Sequence, residues 1–212
     1  MAPESKADEL QGDLKARADM VSTIRLKVLV DAELIAGRAD WIDYVQRTVS
    51  QASLVYERQF GITLELASVG RWPVATAGMD SAQLLDDLRT RTRDRSDIMI
   101  GLTDRPLDEH VSGKAETPAP DSAYNGAHAL VYANSRSSRP HLRTLIHEIS
   151  HTLGALDITD PSSADWRAKS WMSYARVRDD EAAWIDIANR RRILLRKALP
   201  FAPESTPEED AP

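Results

Sequence analysis

The chain has no cysteine among its 212 residues. That excludes disulfide staples, a thiolate nucleophile, thiol redox switching and any zinc site built on sulfur. Long apolar runs are missing too, since no stretch approaches the ~18 apolar residues of a membrane-spanning helix. The opening segment, MAPESKADELQGDLKARADM, is charged throughout and lacks the apolar core of a signal peptide. There is no excess of basic residues: 27 Lys and Arg stand against 33 Asp and Glu, a net charge of -6. An acidic balance argues against a nucleic-acid or membrane-surface partner, whose footprint should be basic. Any metal site must therefore use His, Asp, Glu, Tyr or backbone oxygen, and with only five His their spacing carries weight.

A chain of this length reads as one domain that buries roughly 70% of its unfolded surface without staples. Residues 1–22 read as a polar leader, helical or disordered, and 200–212 as a disordered acidic tail. Between them, strand and helix signals alternate. IRLKVLVD (24–31) alternates as a strand does. Asp40 can cap a helix whose Trp41, Ile42, Val45, Val49, Ala52 and Tyr56 form one apolar stripe. ITLELASV (62–69) is the next strand after Gly61. A short helix near 81–91 leads into the apolar run DIMIGL (97–102), and AHALVYA (127–133) is a further strand. The long polar stretch 103–126 includes HVSGKA (110–115), a candidate short strand at a sheet edge. Ser138, Arg139 and Pro140 read as a helix start. The pattern predicts an α/β fold with a mainly parallel sheet.

The next helix contains His147-Glu148-Ile149-Ser150-His151. Positions i and i+4 share a helix face, so both imidazoles can reach one metal ion, with Glu148 one step round to deprotonate a water. Leu142, Leu145, Ile146, Ile149 and Leu153 form a narrow apolar stripe opposite this set. One face of the helix is for the core and the other for chemistry. Gly154 falls where the helix must end and turn back. A ligand at Asp157 can then close a third corner, with Asp160 as its rival and Glu181 of the next helix as a remoter alternative. Three protein ligands plus water is the pattern of a catalytic zinc site.

HEISHTLGALD resembles the extended zinc motif of the metzincin metallopeptidases, HExxHxxGxxH, with Asp in the third ligand place as in the snapalysin-type branch. SWMSY (170–174) is similar to the family's Met-turn. The resemblance implies a twisted mixed sheet, mostly parallel with one antiparallel edge strand, a backing helix and an active-site helix. It also implies a catalytic domain over 23–199, split into an upper part (23–154) and a small helical lower part (155–199). By the same resemblance one Zn²⁺ would be held by His147, His151 and Asp157. Glu148 would be the general base on a metal-activated water, Met172 the base of the site, and Tyr174 the partner of the reaction intermediate. A peptide or protein substrate would lie along an edge strand, for which Val111, Ser112, Gly113, Lys114 and Ala115 are the candidates. Specificity would lie in the segment after the Met-turn, roughly 175–178. The expected activity is that of a zinc endopeptidase, monomeric and acting outside the cytosol. An inert metal-binding interaction module is the alternative. An anionic third ligand gives the site one more negative charge than three His would.

The remaining candidates have plainer readings. His110, His128 and His141 read as loop or surface residues. Asp104, Asp108 and Asp121 lack a calcium-binding loop pattern, so calcium is unsupported. RTRTRDR (89–95) reads as a solvated helix end. Trp166 and Trp171 are candidates for cleft walls. A last helix, opening at Asp179 or Asp180 and carrying Trp184, Ile187, Ala188, Leu194 and Leu195, reads as structural.

Overall fold

A computed structural model of the chain describes residues 10, 12–73, 78–105, 112–118, 127–133, 141–175 and 183–201. In chain order the elements are α1 (Asp13–Asp19), β1 (Ser22–Val30), α2 (Ala32–Gly37), α3 (Trp41–Phe60), β2 (Ile62–Arg71), α4 (Ser81–Arg89) and β3 (Ile98–Thr103). They continue with β4 (Gly113–Ala115), β5 (His128–Tyr132), α5 (Leu142–Thr152), α6 (Ala164–Arg167) and α7 (Ile187–Lys197). No described helix is long and apolar enough to cross a membrane.

The five strands form one sheet in the order β2-β1-β3-β5-β4. β2, β1, β3 and β5 pair in parallel, and β4 closes the edge antiparallel to β5. The mainly parallel order is what the alternating pattern predicts, and the antiparallel edge strand is what the metzincin resemblance implies. A parallel sheet needs cover on both faces, and the strand period of two supplies it. Ile98, Ile100, Leu102, Ala129 and Val131 join the large core under α3 and α5. Met99, Leu130 and Tyr132 join the smaller core under α4.

Several local expectations change. Asp40 stands at the start of α3 but makes no side-chain cap bond. Its carboxylate binds Arg47 at 2.7 Å instead. Val45, Val49, Ala52 and Tyr56 are buried, whereas Ile42 is exposed. The last helix opens at Ile187 with Asp186 as its cap, so Trp184 lies ahead of it. The expected openings at Asp179 or Asp180, and at Ser138 to Pro140, lie outside the described residues. His128 is not a surface residue: it is buried on β5, and its Nδ1 bonds Glu116 Oε2 at 2.9 Å. Two of the sheet's helical neighbours are tied to the last helix by one cation. Lys197 Nζ donates to the carbonyls of Arg17 (2.8 Å), Phe60 (2.6 Å) and Met20.

Candidate active site

Helix α5 is amphipathic as its spacing predicts, but its second face is not open. Leu145, Ile146, Ile149 and Leu153 are buried in the main core, while Glu148 is 4% exposed and His151 9%. The cover over Glu148 is the edge strand. A Cβ on Gly113 would stand 2.6 Å from Glu148 Cγ and 2.7 Å from its Cδ, and would also strike Oε1. Only a residue without a side chain lets β4 pass so close. From behind, the buried Tyr56 hydroxyl of α3 bonds Ser150 Oγ at 2.8 Å and donates to the Ile146 carbonyl at 3.2 Å. These bonds join the buried backs of α3 and α5.

Gly154 ends the helix at φ 86, where an L side chain is strained. The amides of Gly154 and Ala155 return to the carbonyls of His151 (2.8 Å) and Ser150 (2.9 Å). The reversed chain brings Asp157 under the imidazoles. Asp157 Oδ1 lies 3.1 Å from His147 Nε2 and 3.4 Å from His151 Nε2, and the two Nε2 atoms are 3.0 Å apart. The rival Asp160 is elsewhere, exposed and bonded to Ser162. Glu181 lies outside the described residues.

The donor set fits a metal ion. Each Nδ1 faces a backbone carbonyl, Trp171 O for His147 and Ala155 O for His151, both at 2.8 Å. A carbonyl can only accept, so both Nδ1 atoms carry the proton and both Nε2 atoms face inward, where a metal ion would take their lone pairs. Two imidazole nitrogens and a carboxylate oxygen converging on one point could hold a metal cation between them. Ligands at about 2.0–2.1 Å from a tetrahedral zinc stand roughly 3.3 Å apart, close to the spacing found. His147, His151 and Asp157 are the group of potential ligands that converges in this way among the described residues.

Electrostatics follow the packing. Burial pushes the Glu148 carboxyl up to about 7, against the pull of the two imidazoles. Burial also opposes ionisation of Asp157, but the His147 and His151 imidazoles, which donate to it from Nε2 whenever those atoms carry a proton, outweigh it and hold this carboxyl far below its ordinary range. Tyr174 donates to Asp157 Oδ2 at 2.9 Å, and burial together with that carboxylate raises its hydroxyl to about 12. Trp166 stands beside Tyr174, ring centroids 6.5 Å apart. Trp171 instead packs into the core, 7% exposed, and offers its carbonyl to His147. Met172 is fully buried, and its carbonyl accepts from Ile158 at 2.8 Å.

An open cleft of about 530 Å³ runs past these groups, lined on one side by Ser112, Gly113, Lys114 and Ala115. Val111 and His110 lie outside the described residues. Sequence reasoning missed Arg143, one helical turn before His147, which also lines the cleft. It donates to the carbonyls of Ala175 (2.9 Å) and Ser173 and ties the 173–175 turn to α5. Its position at i−4 from His147 was the available signal.

No curated protein matches the sequence. Among solved structures, a chain described as "Structure of a chaperone-substrate complex" is similar with a TM-score of 0.58 and 15% identity, over 84% of this chain. The match covers 34% of that solved chain, and at this identity it speaks for the fold alone. Residues 21–183 match the family model Reprolysin_5, metallo-peptidase family M12. With most of its length matched, the chain belongs to metallo-peptidase family M12.

Proposed function

We propose that the chain is a zinc-dependent endopeptidase acting on a peptide or protein substrate. The observation that carries this reading is the convergence of His147 Nε2, His151 Nε2 and Asp157 Oδ1 beside Glu148 in one open cleft. A zinc ion held by these three side chains would supply Lewis-acid polarisation of the scissile carbonyl and acidify a water. Glu148 takes that water's proton and returns it to the leaving amine, as general acid–base catalysis requires. The Tyr174 hydroxyl, resting on Asp157, turns to hydrogen-bond the developing oxyanion. Buried Met172 forms the apolar base of the site, the part a Met-turn plays in the metzincin resemblance, and Asp157 supports the snapalysin-type variant of the motif. The substrate extends along β4, the last strand in the sheet order, by strand addition at Ser112 to Ala115.

Turnover of casein or a peptide library by wild type and by Glu148→Ala tests this. Loss of the base should cost about 10²-fold or more while zinc is retained. Equal rates would end the proposal. The near-complete cover of Glu148 by β4 favours a second reading, an inert metal-binding module. It would hold one zinc per chain and hydrolyse no member of the library.

A further inference from the structure

Asp157 lies on no helix or strand of its own. Buried Ala155 and the Ile158 bond to the Met172 carbonyl anchor its stretch of chain on either side, but Leu156 between them is 45% exposed and has no packing of its own to fix it. The Leu156 peptide is held instead by one side chain on α7. Asn189 Oδ1 accepts from Leu156 N at 2.8 Å, and Asn189 Nδ2 donates to Leu156 O at 2.9 Å. The carboxamide thus pairs with both polar groups of a single residue, as a neighbouring strand would.

Its orientation is fixed in turn. The second Nδ2 hydrogen goes to Asp186 Oδ2 at 2.8 Å, so a flipped amide would set oxygen against carboxylate and N–H against N–H. Asp186 also accepts from Ser170 Oγ at 2.9 Å, and Ser170 Oγ accepts from Met172 N at 3.2 Å. Asn189, Asp186 and Ser170 are 4%, 1% and 0% exposed. The Asn189 oxygen and both hydrogens of its amide nitrogen are thus all engaged, and among buried polar groups such networks are stiff. The start of α7 is itself docked on α3, since Gln59 bonds Ala183 O (3.1 Å) and Ile185 N (3.2 Å).

We propose that Asn189 is a positioning residue for the metal centre: by pairing with the Leu156 peptide it sets where Asp157 presents its carboxylate. The inference rests on the metallopeptidase reading and extends it to a helix whose sequence reads as structural only. Loss of a residue that orients a metal ligand weakens binding roughly 10- to 100-fold.

The test compares wild type, Asn189→Leu and Asn189→Asp with Ile193→Ala, which truncates a fully buried core residue of the same helix. Two quantities are measured on each folded protein: zinc affinity by chelator competition, and hydrogen exchange of the Leu156 amide without metal. Asn189→Leu should lose protection at Leu156 and weaken zinc by about tenfold or more. Asn189→Asp keeps the acceptor for the Leu156 amide but sets an oxygen against its carbonyl. It should therefore keep protection and still weaken zinc, and it decides the matter if the leucine variant does not fold. Ile193→Ala should lower the melting temperature and change neither quantity. The inference is overturned if both Asn189 variants bind zinc within about threefold of wild type, or if Ile193→Ala weakens it as much. Should wild type and Asp157→Ala alike retain no zinc, the metallopeptidase reading fails and this inference with it. Zinc binding by wild type with no effect at Asn189 removes the inference alone.

Discussion

The two sides of Gly154 build the same site by different means. Before it, His147, Glu148 and His151 ride on an eleven-residue helix that packs on the sheet and on α3. After it, from Ala155 to Asp186, the described regular structure is a four-residue helix and one isolated bridge, Ile158 to Ser173. Beside scattered backbone bonds such as Ile158 to the Met172 carbonyl, that stretch is held by side chains reaching backbone groups: Asn189 to Leu156, Ser170 to Met172, Arg143 to Ser173 and Ala175. A helix shares its load over a ladder of backbone bonds, so one lost side-chain contact moves it little. A loop held mostly by single side chains has less reserve. The half with the recognisable motif is therefore the sturdier half, and the third corner of the metal site hangs on the weaker one.

The largest expected effect falls where the sturdy half has no slack. Gly113→Val would place side-chain atoms where Glu148 Cγ and Cδ now stand, 2.6 and 2.7 Å from the new Cβ. Either β4 lifts or Glu148 turns aside. A reacting group misplaced by about 1 Å can cost on the order of 10²-fold in turnover. Peptide hydrolysis should fall by that much while metal analysis still finds one zinc per chain. Undiminished turnover would mean that the edge strand yields freely and that its approach to Glu148 is incidental.

A paired comparison comes next in size. Ser170→Ala removes the hydroxyl that donates to Asp186 and receives the amides of Met172 and Asp186. Tyr56→Phe removes the hydroxyl that meets Ser150 and Ile146 behind α5. Both sites are fully buried, so each should cost about 1–3 kcal/mol in urea unfolding, with Ser170 at the upper end because more groups lose their partner. Zinc affinity should separate them, falling in Ser170→Ala and holding in Tyr56→Phe. Equal zinc affinities would erase the distinction between the two halves.

The same distinction explains what could be read without coordinates. The HEISH helix and its core stripe are legible because helical period is a local property. Gly154 is legible because a reversal at positive φ has few other occupants. The cover over Glu148 is not, since it comes from a three-residue strand remote in sequence and joined by a long irregular stretch. Asn189 is invisible for a related reason: a carboxamide inside a helix has no periodic signature and looks like surface. Apolar spacing places Trp184 on the last helix, whereas Asp186 begins the helix after it by accepting from Asn189 N at 3.0 Å. His128 reads as a surface residue only if β5 has a wet face. Covered by α4 as well as α5, β5 has none, and all five of its residues are buried.

One part of the upper half departs from its own rule, and it supplies the smallest prediction. β4 has only three residues, so its ladder to β5 is short, and a side chain completes it. Glu116 Oε2 accepts from the His128 backbone N–H at 3.0 Å and faces its Nδ1, while Oε1 accepts from Arg89 of α4 at 2.6 Å. Burial raises the Glu116 carboxyl, but the bonds from His128 and Arg89 outweigh that, leaving it below its ordinary value of 4.5. An acid with a lowered folded pKa adds stability above its unfolded value and loses it as pH falls through the folded one. Glu116→Gln should thus be less stable than wild type at neutral pH, by on the order of 1 kcal/mol, because Arg89 is half-exposed and also binds Asp86. Urea midpoints of both proteins, followed from neutral pH downward, should converge below about 4.5, as wild type protonates the same group. A gap that persists unchanged into acid would show that the edge strand is pinned by the acceptor pattern of this side chain, which an amide NH2 facing N–H donors breaks, and not by its charge.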